Sequence, residues 1–280
     1  MVRPIGLTIL TVILVALIAA PLAENRSHTL TDTTLDKTPA CGLEFKNYYT
    51  QGQPIVLRLT FENKLFEEVV VDLGYDREGA FQFKLKRGEG DWIDLPQKKV
   101  REGLSRVGTV PLEPHKSYSQ QIILDDWYTF TDLGKHHMSL TIPKTLCSGV
   151  EFDFEITAFD AEILSDFSER LVNAIRQNKN DYGKAADAAK VLARIDNQLV
   201  VPFLVKALEA NRMVDSIVIL ALERIGDKQA VRSLILLLEQ HDSTSSAYEL
   251  VRPALVRLEK RSAPEEAETI RIALARFPIQ

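Results

Sequence analysis

Cysteine is scarce in this chain. It has two in 280 residues, Cys41 and Cys147, and no Cys-x-x-Cys spacing, which excludes a thioredoxin-type redox pair. Other signatures are missing too. There is no Gly-x-Ser-x-Gly elbow for a serine nucleophile, no Gly-rich phosphate loop, and no Asp-x-Asp-x-Asp-Gly calcium loop. A dominant charge sign is also lacking: 34 Lys+Arg stand against 39 Asp+Glu, a net charge of −5. That balance argues against a nucleic-acid binder, which concentrates basic residues on one surface.

The one long apolar run lies at the N-terminus. Arg3 supplies a positive start, Ile5 to Ala20 are apolar, Gly or Thr, and Pro21-Leu22-Ala23 precedes the polar Glu24-Asn25-Arg26. This is the pattern of a secretory signal peptide over residues 1–23, cleaved after Ala23. Ile5–Ala23 is also near the ~20 residues that cross a bilayer, so an uncleaved membrane anchor is the alternative. Both readings export the rest of the chain, to the periplasm or the outside. Residues 24–40, rich in Thr, Asp and Ser, lack the apolar surface to fold and are expected to be a flexible linker. In an exported chain two cysteines favour a disulfide, and Cys41–Cys147 would close a long loop worth about 2–4 kcal/mol.

Residues 41–160 alternate. Ile55-Val56-Leu57-Arg58-Leu59-Thr60-Phe61, Phe81-Gln82-Phe83-Lys84-Leu85-Lys86 and Phe152-Asp153-Phe154-Glu155-Ile156 are half-buried strands, with turn residues every 8–12 positions. The pattern predicts an antiparallel β-sandwich. Within it, Leu112-Glu113-Pro114-His115 leads into the strand Tyr118–Leu124, and Gly134-Lys135-His136 opens Met138–Ile142. These phrases resemble an immunoglobulin-like sandwich of exported bacterial proteins, with His115 where that pattern usually has Gly and His136 where it has an aromatic.

Beyond residue 160 the period changes to that of helices, as in Phe167, Leu171, Val172 and Ile175. One phrase recurs there: Leu192-Ala193-Arg194-Ile195, Leu222-Glu223-Arg224-Ile225 and Leu255-Val256-Arg257-Leu258, at intervals of 30 and 33 residues. Such a period marks stacked helical pairs. Helix punctuation agrees. Asp181 and Asp227 are candidate N-caps, Gly226 a left-handed C-terminal residue, Pro202 a first-turn proline, and Ser262-Ala263-Pro264-Glu265 a capping box. The third helix of the recurring kind is expected to start near Val251.

Ala185–Asp196 and Ala221–Asp227, followed by Ala230-Val231-x-x-Leu234-Ile235-x-x-Leu238, resemble the short HEAT repeats of phycobilin lyases. The fold expected is therefore an all-β plus all-α multidomain chain: an Ig-like sandwich over 41–160 and a HEAT-like α-solenoid over 163–278. The resemblance also raises an accessory-subunit or lyase-like activity, although those lyases act in the cytoplasm.

Few side chains suggest chemistry. His136 and His137 are adjacent on a strand and point to opposite faces, a poor arrangement for one metal. Asp125-Asp126 beside Trp127 reads as a solvated loop. Tyr48, Tyr49, Trp92, Trp127, Tyr128 and Phe130 are candidates for a sugar platform, though rings of this size are more often core. Arg194, Arg224 and Arg257 remain. Equivalent positions in stacked repeats align, so three guanidiniums would form a row about 10 Å apart, suited to carboxylates of a partner; the plainer role is a cation at a helix C-terminus.

The expectation is a non-enzymatic, exported binding or scaffold protein. It needs no cofactor or metal and no nucleic acid. Its partner is another envelope or secreted protein, and it touches the membrane only if residues 5–23 remain uncleaved. A carbohydrate-binding or inhibitory sandwich is the alternative.

Overall fold

The computed structural model describes residues 25–30, 40–73, 81–88, 90–96, 108–142, 149–240 and 246–277, with backbone alone at 25–30, 246 and 247. The leader 1–23, most of the expected linker and Cys147 lie outside the described residues. Cys41 is buried and disulfide-bonded. No described helix is long and apolar enough to cross a membrane.

Among the described residues a β region comes first and seven α-helices follow. One sheet has the order β1 (Asn25–Leu30), β2 (Ala40–Lys46), β4 (Val56–Glu62), β9 (Ser117–Ile123). The other has the order β3 (Tyr48–Thr50), β11 (Val150–Thr157), β10 (Gly134–Thr141), β6 (Gln82–Lys86), β7 (Trp92–Leu95). A separate pair joins β5 (Val69–Asp72) to β8 (Thr109–Leu112). Alternation along the strands turns Leu43, Leu57, Leu59 and Phe61 of the first sheet toward Phe83, Leu85, Met138, Leu140, Phe152 and Phe154 of the second, and all share one core.

Two sequence expectations need correction here. The sheets are not wholly antiparallel, because β3 pairs parallel with β11. Only Asn47 separates β2 from β3, so the chain crosses from one sheet to the other within a single residue and arrives running alongside the last strand. Residues 25–30 are not linker but a strand antiparallel to β2. An edge strand is held by backbone hydrogen bonds to its neighbour, and these do not depend on apolar composition.

The helices are α1 (Ala161–Gln177), α2 (Tyr182–Arg194), α3 (Val201–Ala210), α4 (Asp215–Ile225), α5 (Lys228–Gln240), α6 (Ser246–Glu259) and α7 (Pro264–Arg276). Their contacts fall into two series. α1, α3, α5 and α7 touch in succession, and α2, α4 and α6 do likewise behind them. Asp181 caps α2 through its contact with the Lys184 N–H at 3.1 Å, and the Asp227 carboxylate accepts from the Ala230 N–H at 2.7 Å. Gly226 ends α4 with φ 59°. Two boundaries differ from expectation. No side chain caps α7, whose N-cap is Ala263. α6 begins at Ser246, well before Val251, and carries Pro253 inside it.

The two regions are firmly joined. Only Ala158, Phe159 and Asp160 separate β11 from α1. The Thr50 hydroxyl donates to the Ala158 carbonyl at 2.9 Å and accepts from the Asp160 N–H at 2.8 Å, while Asp160 caps α1. At the end of β9, Ile122 enters the sheet core and Ile123, facing the other way, enters the helix core together with Val56 beside it. Consecutive residues of one strand thus serve two cores. Lys46 lies 4.9 Å above the Phe167 ring, and the Gln121 amide donates to the Asp187 carbonyl at 3.1 Å.

Candidate functional site

Each of the three recurring arginines is engaged within the chain. Each reaches back to the preceding unit. Arg194 at the end of α2 pairs with Asp126 of the β region at 2.7 Å. Arg224 at the end of α4 pairs with Asp196 at 2.6 Å and donates to the Ala193 and Ile195 carbonyls at 2.7 and 3.2 Å, closing over the end of α2. Arg257 on α6 grips Glu223 of α4 with two bonds, at 2.6 and 2.7 Å, and this raises the Arg257 pKa further. The repeated cation is a clasp between successive units. A guanidinium is suited to this because its planar fork holds carboxylates and carbonyls together.

The first clasp explains Asp125-Asp126. They occupy a short 3-10 turn after β9, and Asp126 is 3% exposed, so the expected solvated loop is instead a buried joint. The Asp125 carboxylate accepts from the Ile55 N–H at 3.0 Å. Desolvation raises its pKa to about 6, with Asp126 adding to the shift and the Ile55 bond and Arg194 opposing it.

The histidines separate as strand geometry requires. His136 is buried against Phe154, with its Nε2 2.9 Å from the Asp132 carbonyl. His137 lies on the outer face between Asp153 at 2.6 Å and Glu151 at 3.3 Å, beside Trp92. No described group of three or more His, Cys, Asp or Glu is arranged to hold a metal ion. Among the candidate sugar-platform rings, Tyr49, Trp127 and Phe130 are buried, Trp92 and Tyr128 are half-buried, and Tyr48 is exposed. They do not make one continuous exposed surface.

A different feature has the shape of a site. A groove of about 450 Å³ runs between α3, α4 and α5. Val205, Leu208, Ile219, Leu236 and Leu237 give it apolar walls, and Glu209, Arg212, Ser233 and Gln240 stand around it. Leu236 is 54% exposed. Asp215, the first residue of α4, also lines the groove and is only 8% exposed. No donor among the described residues is hydrogen-bonded to its carboxylate. Desolvation raises its pKa to about 6, against a weaker opposing effect of Arg212.

Sequence reasoning passed over this groove, yet two signals marked it. Ile235-Leu236-Leu237-Leu238 is four apolar residues in a row, more of the helix circumference than one buried stripe covers, so one must face out. Asp215 stands among Met213, Val214, Ile217 and Val218, where a carboxylate loses water.

No family model matches the chain, and no curated protein does. Among solved structures, a β-glucosidase from Listeria innocua in complex with glucose is similar at 10% identity and a TM-score of 0.26, over 49% of this chain and 16% of that one. The CARDB domain of a Pyrococcus furiosus protein in complex with di-metal ions is similar at 10% identity and a TM-score of 0.25, over 45% of this chain and 100% of that one. The chain thus spans 16% of the length of the first of these. Likenesses this slight carry no functional inference.

Proposed function

We propose that this chain is an exported, non-catalytic binding protein. In this reading an Ig-like sandwich and a short HEAT-like solenoid form one rigid scaffold that holds another envelope or secreted protein, in the periplasm or outside the cell. The observation that carries it is the groove between α3, α4 and α5, with apolar walls, an exposed Leu236 and the largely buried Asp215 carboxylate, to which no described donor is hydrogen-bonded. Stacked helical pairs present extended surfaces of this kind. The leader supports export. The absence from the sequence of a nucleophile or phosphate-loop pattern supports a role without catalysis. The clasped arginines leave the groove as the better binding surface.

The test uses the full chain in its own envelope. A photo-crosslinking residue is placed at position 236, with controls at 48 and 92 on the β region and at 179 on the helical region. Crosslinking to one discrete protein from position 236, at least tenfold above position 179, and loss of that protein's co-purification with Leu236→Glu are the expected results. Adducts confined to 48 or 92 would move the binding function to the sandwich; no adduct at any position would end the proposal.

A further inference from the structure

Building on that reading, we infer that the groove between α3, α4 and α5 takes an apolar segment of the partner carrying one cationic side chain, whose charge docks on Asp215. Shape and charge point the same way. The walls offer Val205, Leu208, Ile219, Leu236 and Leu237 to apolar groups. At about 450 Å³ the groove falls within the size range of ligand pockets. Its most enclosed polar group is an acceptor. Asp215 is 8% exposed, and no described donor is hydrogen-bonded to it.

A buried carboxylate without a donor is costly, and a cation that follows an apolar side chain into the groove removes that cost. The surrounding charge agrees, since Glu209 and Asp215 outnumber Arg212 at the groove. Arg212 itself is exposed and makes no ion pair with Asp215 among the contacts within the chain. It is the internal competitor for this carboxylate, too solvated to satisfy it. An acidic segment is disfavoured because it would meet Asp215 and Glu209, and a wholly apolar one would leave Asp215 dry and unpaired.

Simple probes separate these outcomes. Hexylguanidinium, hexanol and hexanoate share one apolar tail and differ in head group. Each is titrated into the isotopically labelled full chain at neutral pH while the methyl signals of Leu208, Ile219 and Leu236 are followed. Hexylguanidinium should shift these signals saturably and bind about tenfold more tightly than hexanol, with hexanoate weakest. Asp215→Asn should remove the preference for the cation while retaining hexanol binding. Arg212→Ala should strengthen cation binding two- to threefold by removing the competitor. Equal binding of cation and alcohol by the unaltered chain, or a preference that survives Asp215→Asn, would overturn the assignment of Asp215 while leaving the crosslinking result at position 236 to stand or fall separately. No groove shift with any of the three would overturn it as well. Shifts that depend on protein concentration without probe would instead assign the groove to a second copy of this chain.

Discussion

At the scale of single residues, two positions show how local chemistry departs from composition. Asp215 stays in the fold despite poor solvation of its charge. Its pKa is about 6 when folded against 3.8 in an unfolded chain, so the folded state holds its proton more tightly. Folding stability from this group is therefore greatest below pH 4 and falls as pH rises from about 4 to about 6. Asp215→Asn should flatten that part of the profile. It should raise stability at pH 7 by about 1 kcal/mol, a figure reduced because the groove admits water. Urea denaturation across pH 4–7 measures this; an unchanged slope would refute it. Gly226 illustrates the opposite constraint. Its φ is 59°, and a Cβ there would stand 2.9 Å from Leu258 Cδ2 and 3.2 Å from the Glu223 carbonyl oxygen. Gly226→Ala should cost about 2–3 kcal/mol, from left-handed strain and the clash with α6 together. Loss under 0.5 kcal/mol in the same assay would show that the α4–α6 contact yields.

At the scale of elements, helix signals were readable where they are local. The carboxylates of Asp181 and Asp227 cap the helices that their spacing implied, because a cap bonds to an N–H two or three residues away. Ser262 does not cap α7, and Pro253 does not end α6. The second involves a distant contact. The Phe277 carbonyl is held by Tyr248 at 2.8 Å and Arg252 at 3.2 Å, which ties Phe277 to the part of α6 that precedes the proline. Pro253 still removes one helical hydrogen bond and crowds the preceding turn. It is exposed, so Pro253→Ala loses little packing. That substitution should stabilise the chain by about 1–3 kcal/mol, which is a rise of several degrees in Tm for a chain of this size. A fall in Tm would mean that α6 depends on a proline bend to reach Phe277.

At the scale of the whole molecule, the clasps make the β region and the helices one mechanical unit. The Arg194–Asp126 pair is the first, the Arg224 contacts the second and the Arg257–Glu223 pair the third, each linking a helical pair to what precedes it. Asp126 is the most buried of the acidic partners, so Arg194→Ala strands its charge at a cost of about 2–4 kcal/mol. Calorimetry of the variant should then resolve two transitions where the unaltered chain shows one, as the Ile122 and Ile123 cores come apart. Arg194→Lys, which keeps the charge without the fork, should lie between. A single transition at an unchanged temperature in Arg194→Ala would show that Thr50 and the apolar contacts hold the joint alone.

Sequence by itself determined the local order of this protein: period-two strands, helices of amphipathic period, a phrase repeated at intervals of 30 and 33 residues, and most of the turns and caps. These follow from interactions within a few residues, where side-chain spacing dictates which face is buried. Tertiary structure decided where the long polar side chains go. Arg257 finds Glu223 across 34 residues, and Arg224 finds Asp196 across 28. A flexible cation chooses among the acceptors that packing brings within reach, and linear spacing does not encode that choice. The groove arises in the same way: the leucines that look like core along α5 become its wall only because no further element of the described chain covers them.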